Sequence, residues 1–403
     1  MWIGISAGSD FGRQRNGKTI RKERTGRKVM KRAAVLGTIL FAVILNSFDV
    51  ALTQFALETS VAGMYDDNIN NNYLHLSDKI SVLNLNTGYS LEAGNWNAQA
   101  YYDGMLNYFQ SMVERTNQFH SGNLLFVHYS GVDDEDVLNI GLSAGRGYYR
   151  GSYSFYDHSL MSASVNYKQF LSDQIINKVG YTFRSVSFDD LSDFSYSEHA
   201  LSGSFSFALP TSTTLILQGD LGAKFYSAAN PLEGSGGMRK STISIMPSVT
   251  QLTGMARIGQ SIFEGTGLSL TSRYQWNIQK QTRYLSSSYG VISDDELFDD
   301  HYGYEGLQTS LMLTQVISES VLLRVSGGLQ NRLYSSLAAY DLEGNQVANQ
   351  RVDERSYVSV FFQKSFDIGF TLKAAYDIIW NASNDAYYDY NNNALTVEFT
   401  LPF

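Results

Sequence analysis

The 403 residues include no cysteine, which excludes disulfides, thiolate metal sites and a lipidated N-terminal cysteine. A mean hydropathy of −0.19 excludes a bundle of membrane-spanning helices, each of which needs about 20 consecutive apolar residues. The formal net charge of −9 argues against nucleic-acid binding, where basic patches supply the affinity.

In chain order, residues 1–29 are polar and basic with no apolar period. Met30-Lys31-Arg32 then leads into an apolar run from Ala33 to Leu45, too short to span a bilayer. A basic head before a short apolar stretch is the layout of a secretory signal peptide, here about residues 30–54, with cleavage expected around 51–57. Met30 reads as the start of the protein and residues 1–29 as an over-extended start. The rival reading is a basic arm for anionic lipid or nucleic acid. Residues 1–54 hold ten of the 30 Lys/Arg and three of the 39 Asp/Glu, so residues 55–403, read as one domain, carry −16.

From residue 58 onward, apolar and polar residues alternate with the two-residue period of a strand whose faces differ. About sixteen strands are predicted, roughly 14–18, with boundaries read to within a few residues. They are 58–66, 77–91, 95–109, 120–130, 136–147, 158–171, 174–188, 197–209, 212–226, 250–263, 266–279, 303–317, 320–334, 355–367, 369–382 and 392–403. In 212–226, Leu215, Leu217, Leu221 and Phe225 alternate with Gln218, Asp220 and Lys224. In 369–382, Phe370, Leu372, Tyr376, Ile378 and Trp380 alternate with Thr371, Lys373 and Asp377. Lys364 shares the apolar phase of Val358, Val360 and Phe362, near a strand end from which a lysine reaches an interface.

Tight connections such as 92–94, 172–173, 264–265 and 318–319 alternate with long polar ones such as 67–76, 227–249, 280–302, 335–354 and 383–391. Short turns at one end and long loops at the other are the plan of an all-β, antiparallel up-and-down transmembrane barrel. A soluble sandwich or propeller is the alternative.

The last strand reads Leu395, Val397, Phe399, Leu401 and Phe403 on one face, with Thr396, Glu398 and Thr400 between them. This alternation and the closing Leu401-Pro402-Phe403 resemble the C-terminal signature of bacterial outer-membrane β-barrels. In size and strand count the chain is nearest the general porins, over about residues 58–403. The resemblance implies an outer-membrane location, assembly by the barrel-assembly machinery reading Phe403, Leu401 and Phe399, and passive diffusion of small hydrophilic solutes. It also implies outer-membrane lipid and lipopolysaccharide as surroundings. General porins narrow the pore with a long third loop. Here the third outer loop, about 148–157, is short, so either 227–249 or 280–302 folds inward, or the pore is unconstricted or plugged by the N-terminus, a large plug being disfavoured by the few residues between cleavage and the first strand.

A sixteen-stranded interior is too wide for side chains to fill, so water occupies it. Register assigns Lys168, Lys178, Arg184, Lys224, Arg257, Arg273, Arg324, Arg332 and Lys373 inward, against the acids Asp103, Asp220, Asp377 and Glu398. Bases thus outnumber acids on the wall, while loop acids gather at Asp66-Asp67, Asp189-Asp190 and 294–300. Rings of Arg and Lys favour anions; a general pore with paired bases is the alternative.

No metal site is expected. The run at 294–300 has oxygen ligands for calcium but lacks the spacing and central glycine of a calcium loop. No cofactor and no catalysis are expected either, since no H-E-x-x-H, G-x-S-x-G or phosphate loop occurs. Serine is abundant, so triad fragments are easily drawn, with His158-Ser159 and Ser197-Glu198-His199 as examples. The rival functions are a surface-binding or structural barrel acting through acidic, Tyr-rich loops, and a barrel hydrolase. Solute identity and oligomeric state are left open.

Overall fold

A computed structural model describes residues 51–131, 135–227, 248–280, 284–287, 290–293, 301–335 and 337–402. Residues 53–403 form one compact unit. Sixteen antiparallel strands close into a ring in sequence order. They are β1 (Ala51–Asp66), β2 (Asp78–Ala93), β3 (Trp96–Phe109), β4 (Asn117–Ser130), β5 (Asp136–Tyr149), β6 (His158–Ser172), β7 (Ile175–Phe188) and β8 (Tyr196–Leu209). The second half comprises β9 (Thr213–Tyr226), β10 (Ser248–Phe263), β11 (Thr266–Lys280), β12 (Gly306–Ser318), β13 (Val321–Tyr334), β14 (Arg351–Ser365), β15 (Thr371–Ser383) and β16 (Tyr390–Pro402). β16 pairs with β1 from Glu58↔Pro402 to Asp66↔Ala394. Closure leaves no free strand edge.

Every predicted strand is present. β1 begins at Ala51 rather than 58, and β14 at Arg351 rather than 355. β12 begins at Gly306 rather than 303, because His301–Gly303 coils into a 3-10 turn. Gly306 has φ of 156°, and a Cβ there would lie 1.9 Å from Asn331 O, so this strand start requires glycine. Two small hairpins in the loops escaped the sequence reading: Tyr284–Ser287 with Gly290–Ser293, and Ala339–Tyr340 with Gln346–Ala348. The second turns where Asn345 donates its backbone N–H and side-chain amide to Asp341 (2.7 and 2.9 Å), which holds that carboxyl below its usual value. Residues 1–50, which include most of the expected signal peptide at 30–54, the acidic run 294–300 and Phe403 lie outside the described residues.

A closed sheet splays side chains on its convex face and crowds them on its concave face. The exposed phase is apolar: Leu217, Leu221 and Phe225 on β9, Leu270, Tyr274 and Trp276 on β11, and Leu395, Phe399 and Leu401 on β16. An apolar belt reaching around the barrel needs an apolar surrounding. The polar phase turns to the concave side. Among the described residues, buried apolar clusters form where loops meet strands, as at Ile69, Ile80 and Phe109, or at Val186, Phe188 and Phe194.

The closing seam is held by asparagines. Asn68, fully buried, donates Nδ2 to Asn72 O (2.7 Å) and Asn391 O (3.0 Å) and accepts from Asn72 N. Asn392 Nδ2 donates back to Asn68 O (3.2 Å) and Asn71 Oδ1 (2.9 Å), and Asn393 Nδ2 to Asp67 Oδ2 (2.6 Å). The first loop is thereby stitched to the last strand. Removing the Asn68 amide strands several buried partners, each worth about 1–3 kcal/mol. Asn68→Ala is expected to lower the urea midpoint of the detergent-folded barrel clearly; an unchanged midpoint would show that the seam does not depend on it.

Candidate functional site

The alternation that turns apolar groups outward puts every charged residue assigned to the wall on the concave phase. Lys168 on β6 stands opposite Lys178 on β7. Arg184 lies 3.6 Å from Glu198 on β8. Lys224 is buried against the rings of Tyr196 and Tyr226, 4.0 and 5.0 Å from their centroids. Arg257 Nε donates to Thr271 Oγ1 (3.0 Å), and Arg273 stands opposite Gln308. Arg324 lies over Phe361, while Arg332 lies over Tyr304 and donates Nε to Gln330 Oε1 (3.0 Å). Lys373 Nζ donates to Glu398 Oε1 at 2.9 Å. Asp103 accepts from Asn123 Nδ2 (2.7 Å), Asp220 accepts from Gln218 Nε2, and Asp377 stands opposite Ser359. Among the described residues, Lys168, Lys178, Arg257, Arg273 and Arg324 take part in no ion pair.

The charge balance of this wall is closer than the sequence reading has it. Strand bases outnumber strand acids only by eleven to ten, because the concave phase also carries Glu58, Asp66, Asp78, Glu92, Glu198 and Asp353, joined by Arg351 and Arg355. Most of these sit at strand ends, where a local period is hardest to phase. The charges are also sorted by sector. β1 to β3 contribute Glu58, Asp66, Asp78, Glu92 and Asp103 and no inward base. β6 to β13 contribute eight of the nine assigned bases against Glu198 and Asp220. A dissolved ion between the sectors experiences a transverse field, strong where water is sparse and screened by salt.

Residues 301–305 lie across the concave face. His301 O accepts from Gln251 Nε2 (2.9 Å) and Gln275 Nε2 (3.2 Å), and Tyr302 O accepts from Asn277 Nδ2 (3.1 Å). Tyr302 OH reaches Glu198 Oε1 at 2.9 Å, and Tyr304 OH accepts from Gln330 Nε2 at 3.1 Å. The strap therefore touches β8, β10, β11 and β13. Gly222 makes room for it, since a Cβ there would lie 2.2 Å from Tyr302 OH. The end of the 280–302 loop thus lies on the concave face, while 228–247 of the other long loop lies outside the described residues. The third outer loop is a single short turn, Gly151–Tyr156. Burial among its neighbours pushes the Tyr156 phenol up to about 12, so it stays neutral at ordinary pH.

The triad fragments do not assemble. His158 Nδ1 is bonded to Tyr156 O (2.9 Å), while Ser159 Oγ accepts from Arg146 (2.7 Å). His199 Nδ1 meets Tyr181 OH (2.7 Å) on the convex face, and Glu198 faces the other way. Among the described residues, no group of three metal-ligating side chains occurs.

No protein-family model matches the chain, and no curated protein matches it. Solved structures do. The outer membrane protein OpdK from Pseudomonas aeruginosa aligns over 87% of this chain and 99% of its own, at 10% identity and a TM-score of 0.50. OccAB1 of Acinetobacter baumannii aligns over 87% and 96%, at 6% identity and a TM-score of 0.48. A bacterial polysaccharide outer membrane secretin aligns over 86% and 98%, at 9% identity and a TM-score of 0.46. At such identities the likeness is one of fold: this chain is built as bacterial outer-membrane barrels are.

Proposed function

We propose that the protein is an outer-membrane channel for passive diffusion of small hydrophilic solutes, with a weak anion preference and no catalytic step. The observation that carries this reading is the closed ring of sixteen strands with an apolar convex face and a charged concave face. Strands with these faces suit lipid outside and water inside. The unpaired bases of β6 to β13 support the anion preference, and the strap at 301–305 supplies the narrowing. Export through the segment at 30–54 and folding in the presence of lipopolysaccharide complete the proposal. Liposome swelling tests it: vesicles holding the refolded protein are expected to admit uncharged monosaccharides faster than trisaccharides. Vesicles that stay impermeable to both would contradict it.

The closing residue has a separate role in this proposal. Leu401 and Phe399 are two of many exposed apolar groups on the convex face, so their individual contribution to barrel stability is small. Deleting Phe403 is expected to abolish most outer-membrane insertion in cells while leaving the urea midpoint of the refolded barrel nearly unchanged. Normal insertion of the truncated chain would refute the assembly-signal reading.

A further inference from the structure

Lys168 and Lys178 face each other directly across β6 and β7. Like charges so placed repel, and neither has an ion-pair partner among the described residues. Beside them the concave wall opens into a recess of about 330 Å³, lined also by Asn139, Asn166, Ser202 and Gln218. Its floor is Gly180, where a Cβ would lie 2.3 Å from Asn166 Oδ1 and 2.9 Å from Ser202 Oγ. The missing side chain at Gly180 makes room for the Asn166 amide and the Ser202 hydroxyl, which converge there and present their polar atoms to the recess. One inward carboxylate, Asp220, stands opposite Ser202. Both its oxygens accept from Gln218 Nε2 (2.9 and 3.0 Å), which leaves the Gln218 carbonyl as an acceptor. Two ammoniums against this one carboxylate leave the recess net positive.

We infer that this recess is a binding subsite for the oxyanion of a small hydroxylated acid, either a sugar phosphate or a sugar acid, travelling along the wall. The inference rests on the channel reading and names its solute class. The two ammoniums receive the oxyanion through charge-assisted hydrogen bonds. As point charges on flexible stems, they accept phosphate or carboxylate without a fixed fork geometry. The amides and hydroxyls, which both donate and accept, take the solute's hydroxyls. The volume is at the small end of ligand pockets, in the range of a single sugar.

Calorimetric titration of the detergent-folded protein at low salt tests this with glucose 6-phosphate, gluconate and glucose. Both acids are expected to bind saturably and glucose not to; the tighter of the two identifies the solute as phosphate ester or carboxylate. Lys168→Met with Lys178→Met is expected to weaken binding about tenfold or more, as the loss of charged hydrogen bonds implies. Gly180→Ala keeps both charges, but its Cβ displaces the Asn166 amide and the Ser202 hydroxyl, and it is expected to weaken binding several-fold; Lys364→Gln on the convex face leaves it unchanged. Glucose binding as well as the acids, or full affinity in Gly180→Ala, would overturn the subsite. If the double variant does not fold, Gly180→Ala decides alone. Because binding is read without conduction, a barrel that binds the acids but carries no current would sink the channel reading and leave the subsite standing.

Discussion

Exchanging Arg257 and Arg324 together for glutamate is expected to convert a weakly anion-preferring pore into a cation-preferring one. Both side chains lie on the concave phase, on β10 and β13, and neither has an ion-pair partner among the described residues. Each exchange replaces a positive charge by a negative one in the sector where bases predominate, and so erases the contrast with the acidic β1–β3 sector. The effect depends on range. At 0.1 M salt the field extends about 10 Å and at 1 M only about 3 Å, so the shift in reversal potential should be large in dilute salt and small in concentrated salt. Arg332→Glu is a poorer choice, because Arg332 holds Gln330 and the ring of Tyr304 beside the strap. A reversal potential unmoved by the double exchange would mean that these arginines do not face the conducting water.

The largest loss of stability is expected at Asp353. Arg351 Nε and Nη2 donate to its two oxygens at 3.0 and 2.6 Å, and Ser383 Oγ donates at 2.7 Å. The two charged side chains are 4% and 1% exposed. Arg351 is held between the rings of Tyr334 and Tyr388, 4.3 and 3.4 Å from their centroids. Asp353→Ala removes the buried carboxylate that accepts two of the guanidinium's hydrogen bonds, which costs about 3–5 kcal/mol. Arg351→Met with Asp353→Leu removes both charges and should lose much less. The contrast is the Arg184–Glu198 pair, in which Arg184 is half exposed at 3.6 Å; Arg184→Gln should cost at most about 1 kcal/mol. Urea unfolding of the three variants measures all of this, and a loss below about 1 kcal/mol for Asp353→Ala would contradict the account.

The barrel was legible because its two faces meet different surroundings, and that contrast is written locally at every second residue. Leu215 to Phe225 against Gln218 to Lys224 phases β9 with no knowledge of its neighbours, and turn length then gives the order of the ring. Three features were not legible. Arg351 to Glu354 read as the tail of a polar loop, because the long run before them hides where the two-residue period begins. Glu198 drew notice only as part of Ser197-Glu198-His199, whereas its partners Arg184 and Tyr302 are remote in sequence or on another strand. The strap at 301–305 has no period at all. Its place is set by Gln251, Gln275, Asn277 and Gln330, which the sequence presents only as ordinary polar members of three strands. Hindsight offers one clue: bulky amides cluster near the loop ends of β10 and β11, where a smooth channel wall has no need of them.

The central claim is that the ring encloses continuous water, and single-channel recording on the refolded protein tests it most directly. Planar bilayers should show discrete steps of steady conductance, ohmic at low voltage, with current rising in proportion to salt at high concentration. A weak anion preference should appear under a dilute salt gradient. Protein that retains its β-sheet circular dichroism and inserts into the bilayer, yet passes no current at any salt concentration, would contradict the account.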